Sequence, residues 1–484
     1  MNMEIVVESP ETTLYTPRSR RPRFRTASAW IFWAILIVNA AAIVWLWVYG
    51  KNIGGGGNAG IGVGRLTGLS GGTLTLTGTT ATVDPWTSVG RLTGLLSAYL
   101  ALIQVLLLAR LPWLERVLGF DRLTVWHRLN GKICLYLVLA HVVCITIGYA
   151  SLFQVGIPTE VSRLLLHYPG MIAATVGTAV MIAVVATSLV IVRRRLPYEL
   201  WYAVHLLVYV GIALAWFHQI PTGNELTANV AASTYWNALY LATAALLLWF
   251  RVAAPIGQAF RYRMRVAAVT AEGPGVVSLR ITGRHLERLD ARAGQFFLWR
   301  FLTRDRWWSP HPFSLSAAPD GGSLRITVKG VGDFTRRLGE IGLGTRVVAE
   351  GPFGVFTDVV RRRERVLFIA GGIGITPIRA MLEAMPGDLT LIYRVIREED
   401  LVFRGELERL ARERGIQLHF VVGDHTQPDA RDLLSPDHLR RLVPDLGNRE
   451  VYLCGPPVMM RIVEQNLRRA GAPRKYLHTE RFVL

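Results

Sequence analysis

Four histidines stand in apolar stretches of this sequence, spaced as two similar pairs. His127 and His141 lie 14 residues apart in one stretch, and His205 and His218 lie 13 residues apart in another. A helix rises about 1.5 Å per residue, so each stretch would carry its two imidazoles about 20 Å apart along a bilayer normal. Two such helices could hold two bis-histidine haems, His127 with His205 at one depth and His141 with His218 at the other. The alternative is four structural histidines in a helix core or at the interface.

The elements that carry these histidines are predicted to be membrane helices. Six apolar segments are each about as long as the ~20 residues that cross a bilayer core. They are 28–49, 90–111, 124–150, 169–192, 200–219 and 232–250. In a straight helix, a 13-residue spacing leaves His218 well away from the face of His205. We therefore expect some unwinding near Gly211, or haems approached from different sides.

The composition favours a membrane protein over a nucleic-acid binder. The formal net charge is +19, but only 18% of the residues are charged and 51% are apolar. The three cysteines, Cys134, Cys144 and Cys454, form neither a disulfide framework nor a metal-binding CxxC spacing.

Basic residues in the short loops predict the orientation. With a cytosolic N-terminus, 15 arginines lie at cytosolic helix ends and only Lys51, Arg65 and Arg163 lie in the opposite loops. Both termini are then cytoplasmic in an integral membrane protein, expected in the plasma membrane, and the basic N-terminus would lie at anionic lipid headgroups.

Four motifs follow in the C-terminal half, in a region where the pattern changes first to alternating strands and then to strands that alternate with helices. The motif residues are His311, Pro312, Phe313 and Ser314; Lys329, Gly330, Gly332 and Thr335; Gly371, Gly372, Gly374, Thr376 and Pro377; and Cys454, Gly455 and Pro456. Glycine-rich turns that open helices suit diphosphates, because free N–H groups and the helix dipole favour anions. Each motif alone could instead be an ordinary turn or cap, and Cys454 could be a core cysteine.

The motifs HPFSLS, KGVGDFT, GPFG, AGGIGITP and CGPP, in this order, resemble the ferredoxin–NADP reductase family. Together with six spans and paired histidines, the chain resembles the ferric reductase and NADPH oxidase superfamily. The resemblance implies a multidomain chain: an all-α six-helix transmembrane bundle, an antiparallel β-barrel FAD-binding domain, and an α/β parallel-sheet nicotinamide-nucleotide-binding domain. The expected boundaries are 1–27 for a basic N-terminus, then 28–251, 258–358 and 362–484.

The same resemblance assigns roles to the motif residues. It implies that Ser314 contacts the flavin ring and that Lys329 and Thr335 bind the flavin phosphates. The turn at Gly371 and the CGPP segment would bind the nucleotide, and Phe482 would stack on the flavin close to Cys454. Arg394 and Arg397 follow the second α/β strand, where arginine suits a 2′-phosphate, so we predict NADPH over NADH, although both could be solvated surface arginines.

The predicted function is electron transfer from cytosolic NADPH through FAD and two b-type haems to an extracytoplasmic acceptor, either a ferric chelate or oxygen. Arg91 could attract an anionic acceptor. Ile145, four residues after His141, is apolar where oxidases of this family often carry polar groups, which weakens a specific superoxide-generating role. A partner protein or quinone could also be the acceptor. An alternative of another class is a haem-free membrane transporter or sensor with a nucleotide-binding domain.

Overall fold

The computed structural model describes residues 23–48, 84–189, 192, 195–196, 198–227, 229–304, 307–424, 427 and 432–480. The described residues divide into two compact units. The helical unit comprises residues within 27–114 and 121–252, and the two-domain unit comprises residues within 115–120 and 253–480.

The N-terminal half is built from helices. They are α1 (Arg23–Trp47), α2 (Pro85–Leu107), α3 (Pro112–Leu118), α4 (Phe120–Phe153), α5 (Ile157–His167), α6 (Met171–Ser188), α7 (Tyr198–Leu206), α8 (Val208–Thr222), α9 (Asn224–Thr227) and α10 (Val230–Leu248). Six stretches are long and apolar enough to cross a membrane: Trp30–Trp47, Pro85–Leu107, Arg122–Phe153, Met171–Ser188, Leu200–Thr222 and Val230–Tyr262. The prediction of six apolar helices is confirmed.

Local sequence signals set where two of these helices begin. Asp84 caps α2, because its carboxylate accepts hydrogen bonds from the Thr87 amide and hydroxyl, both at 2.8 Å. Pro85 follows at the first helical position, where no amide hydrogen is needed. Asn229 caps α10 through bonds from the amides of Ala231 and Ala232. The second span therefore starts five residues earlier than the predicted residue 90.

The fifth span is interrupted between its two histidines. Helix α7 ends at Leu206 and α8 begins at Val208, and the Leu207 amide donates to the Val204 carbonyl in a tighter turn. The interruption lies at Leu207 rather than near Gly211. Gly211 instead lies against Gly177 of α6, where an added Cβ would be 3.0 Å from the Gly177 carbonyl oxygen.

The first domain of the two-domain unit is a six-stranded antiparallel barrel. Its strands are β1 (Arg265–Gly273), β2 (Val276–Thr282), β3 (Phe296–Phe301), β4 (His311–Ser314), β5 (Ser323–Lys329) and β6 (Val347–Phe353). Two three-stranded sheets, β1-β2-β5 and β4-β3-β6, are joined by bridges between Leu315 and Ile326 and between Arg265 and Arg346. Helix α11 (Ala254–Tyr262) precedes the barrel, and α12 (Asp333–Arg336) follows β5.

The second domain is a parallel sheet with helices. Its elements are β7 (Val366–Gly371), α13 (Ile375–Ala384), β8 (Leu389–Val395), α14 (Arg404–Arg414), β9 (Gln417–Val422), α15 (Pro436–Leu442), β10 (Glu450–Cys454), α16 (Pro457–Arg469) and β11 (Leu477–Glu480). The strand order is β11-β10-β7-β8-β9, and all pairs are parallel. The predicted succession of barrel and α/β domain is confirmed.

Charged side chains join these two domains. Arg325 of β5 forms an ion pair with Glu406 of α14 at 3.2 Å, and the buried Arg379 of α13 bonds the same carboxylate. Arg325 also donates to the Ser316 carbonyl at 2.7 Å, just beyond the HPFS strand. The network therefore links the segment predicted to hold the flavin to the helices of the nucleotide domain.

Candidate functional site

The four membrane histidines form two facing pairs. His127 of α4 faces His205 of α7 with ring centres 6.0 Å apart, and His141 of α4 faces His218 of α8 at 6.3 Å. The ring planes are inclined by 54° and 40°. The structure thus brings together the partners that the sequence paired by depth.

These distances fit a metal held between two imidazoles. With metal–nitrogen bonds of about 2 Å and ring nitrogens about 1.1 Å from the ring centre, ligation places the centres about 6.2 Å apart. A direct hydrogen bond between ring nitrogens allows about 5.5 Å at most. The observed 6.0 and 6.3 Å exceed that limit. The described residues contain no group of three or more His, Cys, Asp or Glu that could hold a metal, so a metal between two of these imidazoles would take its remaining ligands from a bound macrocycle.

Helix α2 orients both histidines of α4. The Nδ1 atom of His127 lies 3.2 Å from the Gln104 carbonyl oxygen, and Nδ1 of His141 lies 2.7 Å from that of Gly90. The two carbonyls are 14 residues apart, the same spacing as the two histidines. A proton on Nδ1 that bonds a carbonyl leaves Nε2 free as a ligand, which is the usual arrangement around metal-bound imidazoles.

The surroundings of the rings are shaped to fit them closely. A Cβ at Gly94 would lie 2.5 Å from Nδ1 of His141, so only glycine fits against that ring. Nδ1 of His205 lies 3.2 Å from the Ser188 hydroxyl, and Trp201 stacks on the His205 ring with centres 5.1 Å apart. Sequence reasoning missed these supporting residues. Gly90, Gly94 and Ser188 lack a spacing signal of their own, because their role depends on which helices become neighbours.

The predicted flavin segment forms β4 in the barrel wall. Ser314 is buried, and its hydroxyl lacks a hydrogen-bond partner among the described residues. A buried hydroxyl without a partner is costly unless a ligand satisfies it, which fits the expected contact with the flavin ring. His311 stacks on Phe334 with ring centres 3.5 Å apart, and the Phe313 carbonyl accepts a bond from Trp299. Pro312 lies between them, paired with Leu298.

The predicted phosphate segment already has internal partners. The Thr335 hydroxyl oxygen accepts hydrogen bonds from the amides of Val331 and Gly332 at 3.0 and 2.9 Å. Gly330 donates its amide to the Gly275 carbonyl instead. Lys329 lies 3.4 Å from Asp400 of the nucleotide domain. A diphosphate would therefore have to exchange with these contacts to reach the amides and the lysine.

The nucleotide turn and the CGPP segment pack directly against each other. They follow β7 and β10, which are neighbours in the sheet. A Cβ at Gly374 would lie 2.4 Å from the Cys454 carbonyl oxygen, and one at Gly455 would lie 3.1 Å from the Cα of Gly371. Gly372 adopts a left-handed conformation with φ of +50°. These glycines are required by the close approach of two backbones.

This position is where nucleotides bind in open parallel sheets. The chain runs from β7 to β8 and β9 on one side, while β10 lies on the other side of β7. The crevice beyond such a reversal of strand order is the usual ligand site. Thr376 and Pro377 lie in the first turn of α13, and the Thr376 hydroxyl donates to the Ile373 carbonyl at 3.0 Å.

The two arginines predicted to bind a 2′-phosphate, Arg394 near the end of β8 and Arg397 just after it, are paired with protein groups. Arg394 donates to the carbonyls of Val395 and Val421, and burial lowers the pKa of its guanidinium. Arg397 forms ion pairs with Glu399 at 2.6 Å and with Asp400 at 3.3 Å, yet its side chain is 64% exposed. Burial would raise the pKa of Asp400, but hydrogen bonds and charges from Arg397 and Lys329 outweigh it and lower that pKa.

Of the two residues predicted beside the nicotinamide and the flavin, only Cys454 lies within the described residues. Cys454 is fully buried at the end of β10, with Gly455 also buried and Pro456 exposed beyond it. Cys454 belongs to the core of the nucleotide domain and also lies at the carboxyl end of β10. Its position is therefore compatible with a core cysteine and with a residue beside the nicotinamide. Phe482 lies outside the described residues.

Comparison with known families assigns all three parts of the chain. A family model described as a ferric reductase like transmembrane component matches residues 93–216. This range includes three of the four paired histidines and ends just before His218. A FAD-binding domain matches residues 261–357, and an oxidoreductase NAD-binding domain matches residues 368–465.

Individual relatives match the C-terminal part. Ferredoxin–NADP reductase B of Sorangium cellulosum is 30% identical over 187 residues, which are 35% of this chain and 77% of that protein. The glycine betaine monooxygenase reductase subunit of Chromohalobacter salexigens is 31% identical over 185 residues, and the chain spans only 50% of its length. The FAD/NAD-binding domain of a nitric oxide dioxygenase from Vibrio cholerae is 25% identical, with 46% of this chain and 98% of that chain covered and a TM-score of 0.38.

A ferric reductase-like membrane part, a FAD-binding barrel and a NAD-binding sheet in one chain define an NAD(P)H-dependent membrane oxidoreductase. The chain therefore has the domain architecture of the ferric reductase and NADPH oxidase superfamily, with a ferric reductase-like transmembrane domain followed by a FAD-binding and a NAD-binding domain.

Proposed function

We propose that this protein moves electrons from cytosolic NADPH, through FAD and two b-type haems, to an acceptor on the other side of the membrane. The main support for the proposal is that four membrane histidines face each other in two pairs, with ring centres 6.0 and 6.3 Å apart. Two levels about 20 Å apart along α4 suit transfer across the bilayer. The bound groups supply hydride acceptance by flavin and single-electron acceptance by haem iron, which amino-acid side chains lack.

The protein's own residues supply position. His127 and His205 would hold the inner iron, and His141 and His218 the outer iron, with Nδ1 of both α4 histidines anchored on α2. These Nδ1 bonds leave Nε2 of both α4 histidines available as a ligand. Apolar helices around both pairs exclude water and lower the local dielectric, which favours the neutral imidazoles that iron requires.

In the two-domain unit, backbone groups of the motif turns would make most of the contacts with the flavin and the nucleotide. The Ser314 hydroxyl is available to a flavin. In the turn after β7, Gly372 has no atom within 4 Å of an added Cβ, so a nucleotide could approach the backbone there. Cys454 would lie beside the nicotinamide, and Phe482 would cover the flavin. The preference for NADPH over NADH rests on Arg397, whose side chain is exposed and would pair with a 2′-phosphate.

The direction of transfer rests on the arginine distribution. Arginines at one set of helix ends support a cytoplasmic position for the two-domain unit and both termini, where the cellular nucleotide pool is available. The outer haem would then face the extracytoplasmic side of the plasma membrane. We propose a ferric chelate or oxygen as the acceptor. Ile145 lies against Gly90 beside the outer histidine, so this position lacks the polar group that oxidases of the family often carry there, which weakens the case for oxygen.

Single histidine variants test the haem assignment. His127→Ala should remove the inner haem and His141→Ala the outer, each leaving one haem and a full complement of FAD. His167→Ala, outside both pairs, is the matched control and should keep two haems. An unchanged haem content in the first two variants would reject the ligand set.

The acceptor is tested with NADPH oxidation by the membrane-embedded protein. Ferric chelate should be reduced at a rate that superoxide dismutase does not change. If reduction required oxygen and were abolished by superoxide dismutase, the protein would be a superoxide-generating oxidase instead. A protein that bound nucleotide but contained no haem would be a transporter or sensor of another class.

A further inference from the structure

Three segments of the two-domain unit meet at one end of the barrel. Arg265 at the start of β1 pairs with Arg346 at the start of β6, and the Leu302 amide at the end of β3 donates to the Arg346 carbonyl at 2.9 Å. The Val347 amide also bonds the carbonyl of Met264, directly after α11. The end of α11, the β3–β4 loop and the turn before β6 therefore form one surface, which we call the basic–aromatic end.

Large apolar side chains are exposed on this surface. The exposed fractions are 72% for Phe260, 71% for Leu343, 59% for Trp307, 43% for Leu302 and 37% for Trp308. Clustered exposed apolar groups are uncommon in soluble domains and mark a binding surface. The two tryptophans are notable because tryptophan concentrates where a bilayer meets water.

The same surface is strongly basic. Exposed arginines surround the apolar groups: Arg261, Arg263, Arg265, Arg304 and Arg346. The described residues of 253–265, 302–308 and 342–346 contain no aspartate or glutamate. Asp305 and Arg306, which follow Arg304 in the sequence and carry opposite charges, lie outside the described residues. The described part of this surface therefore carries only positive charges, which attract anions.

Chain continuity places this surface close to a bilayer. The last candidate span runs over 33 residues, Val230–Tyr262, and ends with α11. At 1.5 Å per residue such a helical stretch is about 50 Å long, whereas the hydrocarbon core is about 30 Å thick. The C-terminal turns must therefore leave the core. Buried Tyr262 and Met264 tie them to the barrel interior.

We propose that the basic–aromatic end binds the anionic surface of the lipid bilayer, with its tryptophans and Phe260 among the headgroups and its arginines paired with lipid phosphates. Arginine with interfacial aromatic residues is the combination that recognises anionic lipid. The proposal is independent of the haem assignment and of the acceptor. It requires only that the protein is embedded in a membrane.

A fluorescent label on the full-length protein tests the contact. Trp307→Cys, labelled with an environment-sensitive fluorophore, is placed in nanodiscs of phosphatidylcholine with phosphatidylglycerol and a headgroup-spin-labelled lipid. The matched control is Ile462→Cys on α16, whose native side chain is 53% exposed. The native cysteines are all buried and should not compete for the label. NADPH-dependent ferricyanide reduction checks that both variants are folded.

The label at position 307 should be blue-shifted and quenched at least threefold more than the label at 462. Quenching at 307 should weaken with the triple variant R261Q/R304Q/R346Q, and also in 1 M salt, because the Debye length then falls to about 3 Å. Equal quenching at both positions would overturn the proposal. So would a blue shift at 307 without lipid quenching, or one that depends on protein concentration, since either would indicate a protein partner or a second copy.

Discussion

At the scale of single residues, the chemistry depends on groups that hold the histidines as much as on the histidines themselves. Gly90 and Gln104 on α2 offer carbonyls at the spacing of His127 and His141, and Gly94 leaves room for a ring. The histidine pairs were predictable because both the residue type and the spacing are visible in the sequence. Their supports were not, because a backbone carbonyl carries no sequence signal.

The first prediction concerns Gly94. In Gly94→Ala, the new Cβ would lie 2.5 Å from Nδ1 of His141, so the ring must move away from its partner. We expect selective loss or spectral perturbation of the outer haem, measured by haem content and by the low-spin electron paramagnetic resonance signals. Gly257→Ala is the control, since a Cβ there has no atom within 4 Å. Two undisturbed haem signals in Gly94→Ala would contradict the arrangement.

The second prediction concerns nucleotide choice. Arg397→Ala should lower kcat/KM for NADPH about tenfold, or about 1.4 kcal/mol, and leave NADH nearly unchanged, because only NADPH carries a 2′-phosphate. Arg404→Ala is the control, since Arg404 is similarly exposed and ion-paired with Glu398 and Glu408. Equal losses with both nucleotides would remove Arg397 from the specificity site.

At the scale of elements, close helix and strand contacts set the two sites. Gly177 and Gly211 let α6 and α8 approach, and α6 also brings the Ser188 hydroxyl to His205. The expected unwinding near Gly211 was placed wrongly, because a glycine in a membrane helix serves packing as readily as it serves a break. The actual interruption at Leu207 has no comparable sequence marker.

The third prediction concerns this helix crossing. Gly211→Leu should destabilise the helical unit by about 1–3 kcal/mol, the usual cost of overpacking. Thermal unfolding in detergent, followed by loss of haem absorbance, measures the effect. Ala213→Leu, at an exposed position of the same helix, should leave the unfolding temperature nearly unchanged. A Gly211→Leu protein as stable as this control would show that α6 and α8 do not pack closely.

The fourth prediction concerns β10 and pH. Burial would raise the pKa of Glu450, but bonds from His478 and from the Arg362 and Arg363 amides outweigh it and lower that pKa. The stabilisation is therefore present above the ordinary glutamate pKa of about 4.3 and is lost as pH falls through the lowered value. The wild type should lose stability below about pH 4.3 more steeply than Glu450→Gln, measured by thermal unfolding of the two-domain unit within the full protein. Parallel pH curves would disprove this.

At the scale of the whole molecule, sequence periodicity predicted six apolar helices, a region of strands and a parallel sheet in the right order, and the family resemblance implied that the first strands form a barrel. The strands β4, β6 and β11 carry weak signals in the sequence, because they are short or interrupted by proline and glycine, as in HPFS and GPF. The pairing of His127 with His205 followed from helix direction alone. The ion-pair network of Arg325, Glu406 and Arg379 could not be foreseen, since it joins residues from separate domains.

The most direct test of the account is the haem content of the purified protein relative to FAD, followed by its anaerobic absorbance spectrum after addition of NADPH. The facing imidazoles predict two haems per FAD and the sharp bands of reduced b-type haem once nucleotide is added. A protein that retained FAD and oxidised NADPH but contained no haem would contradict it.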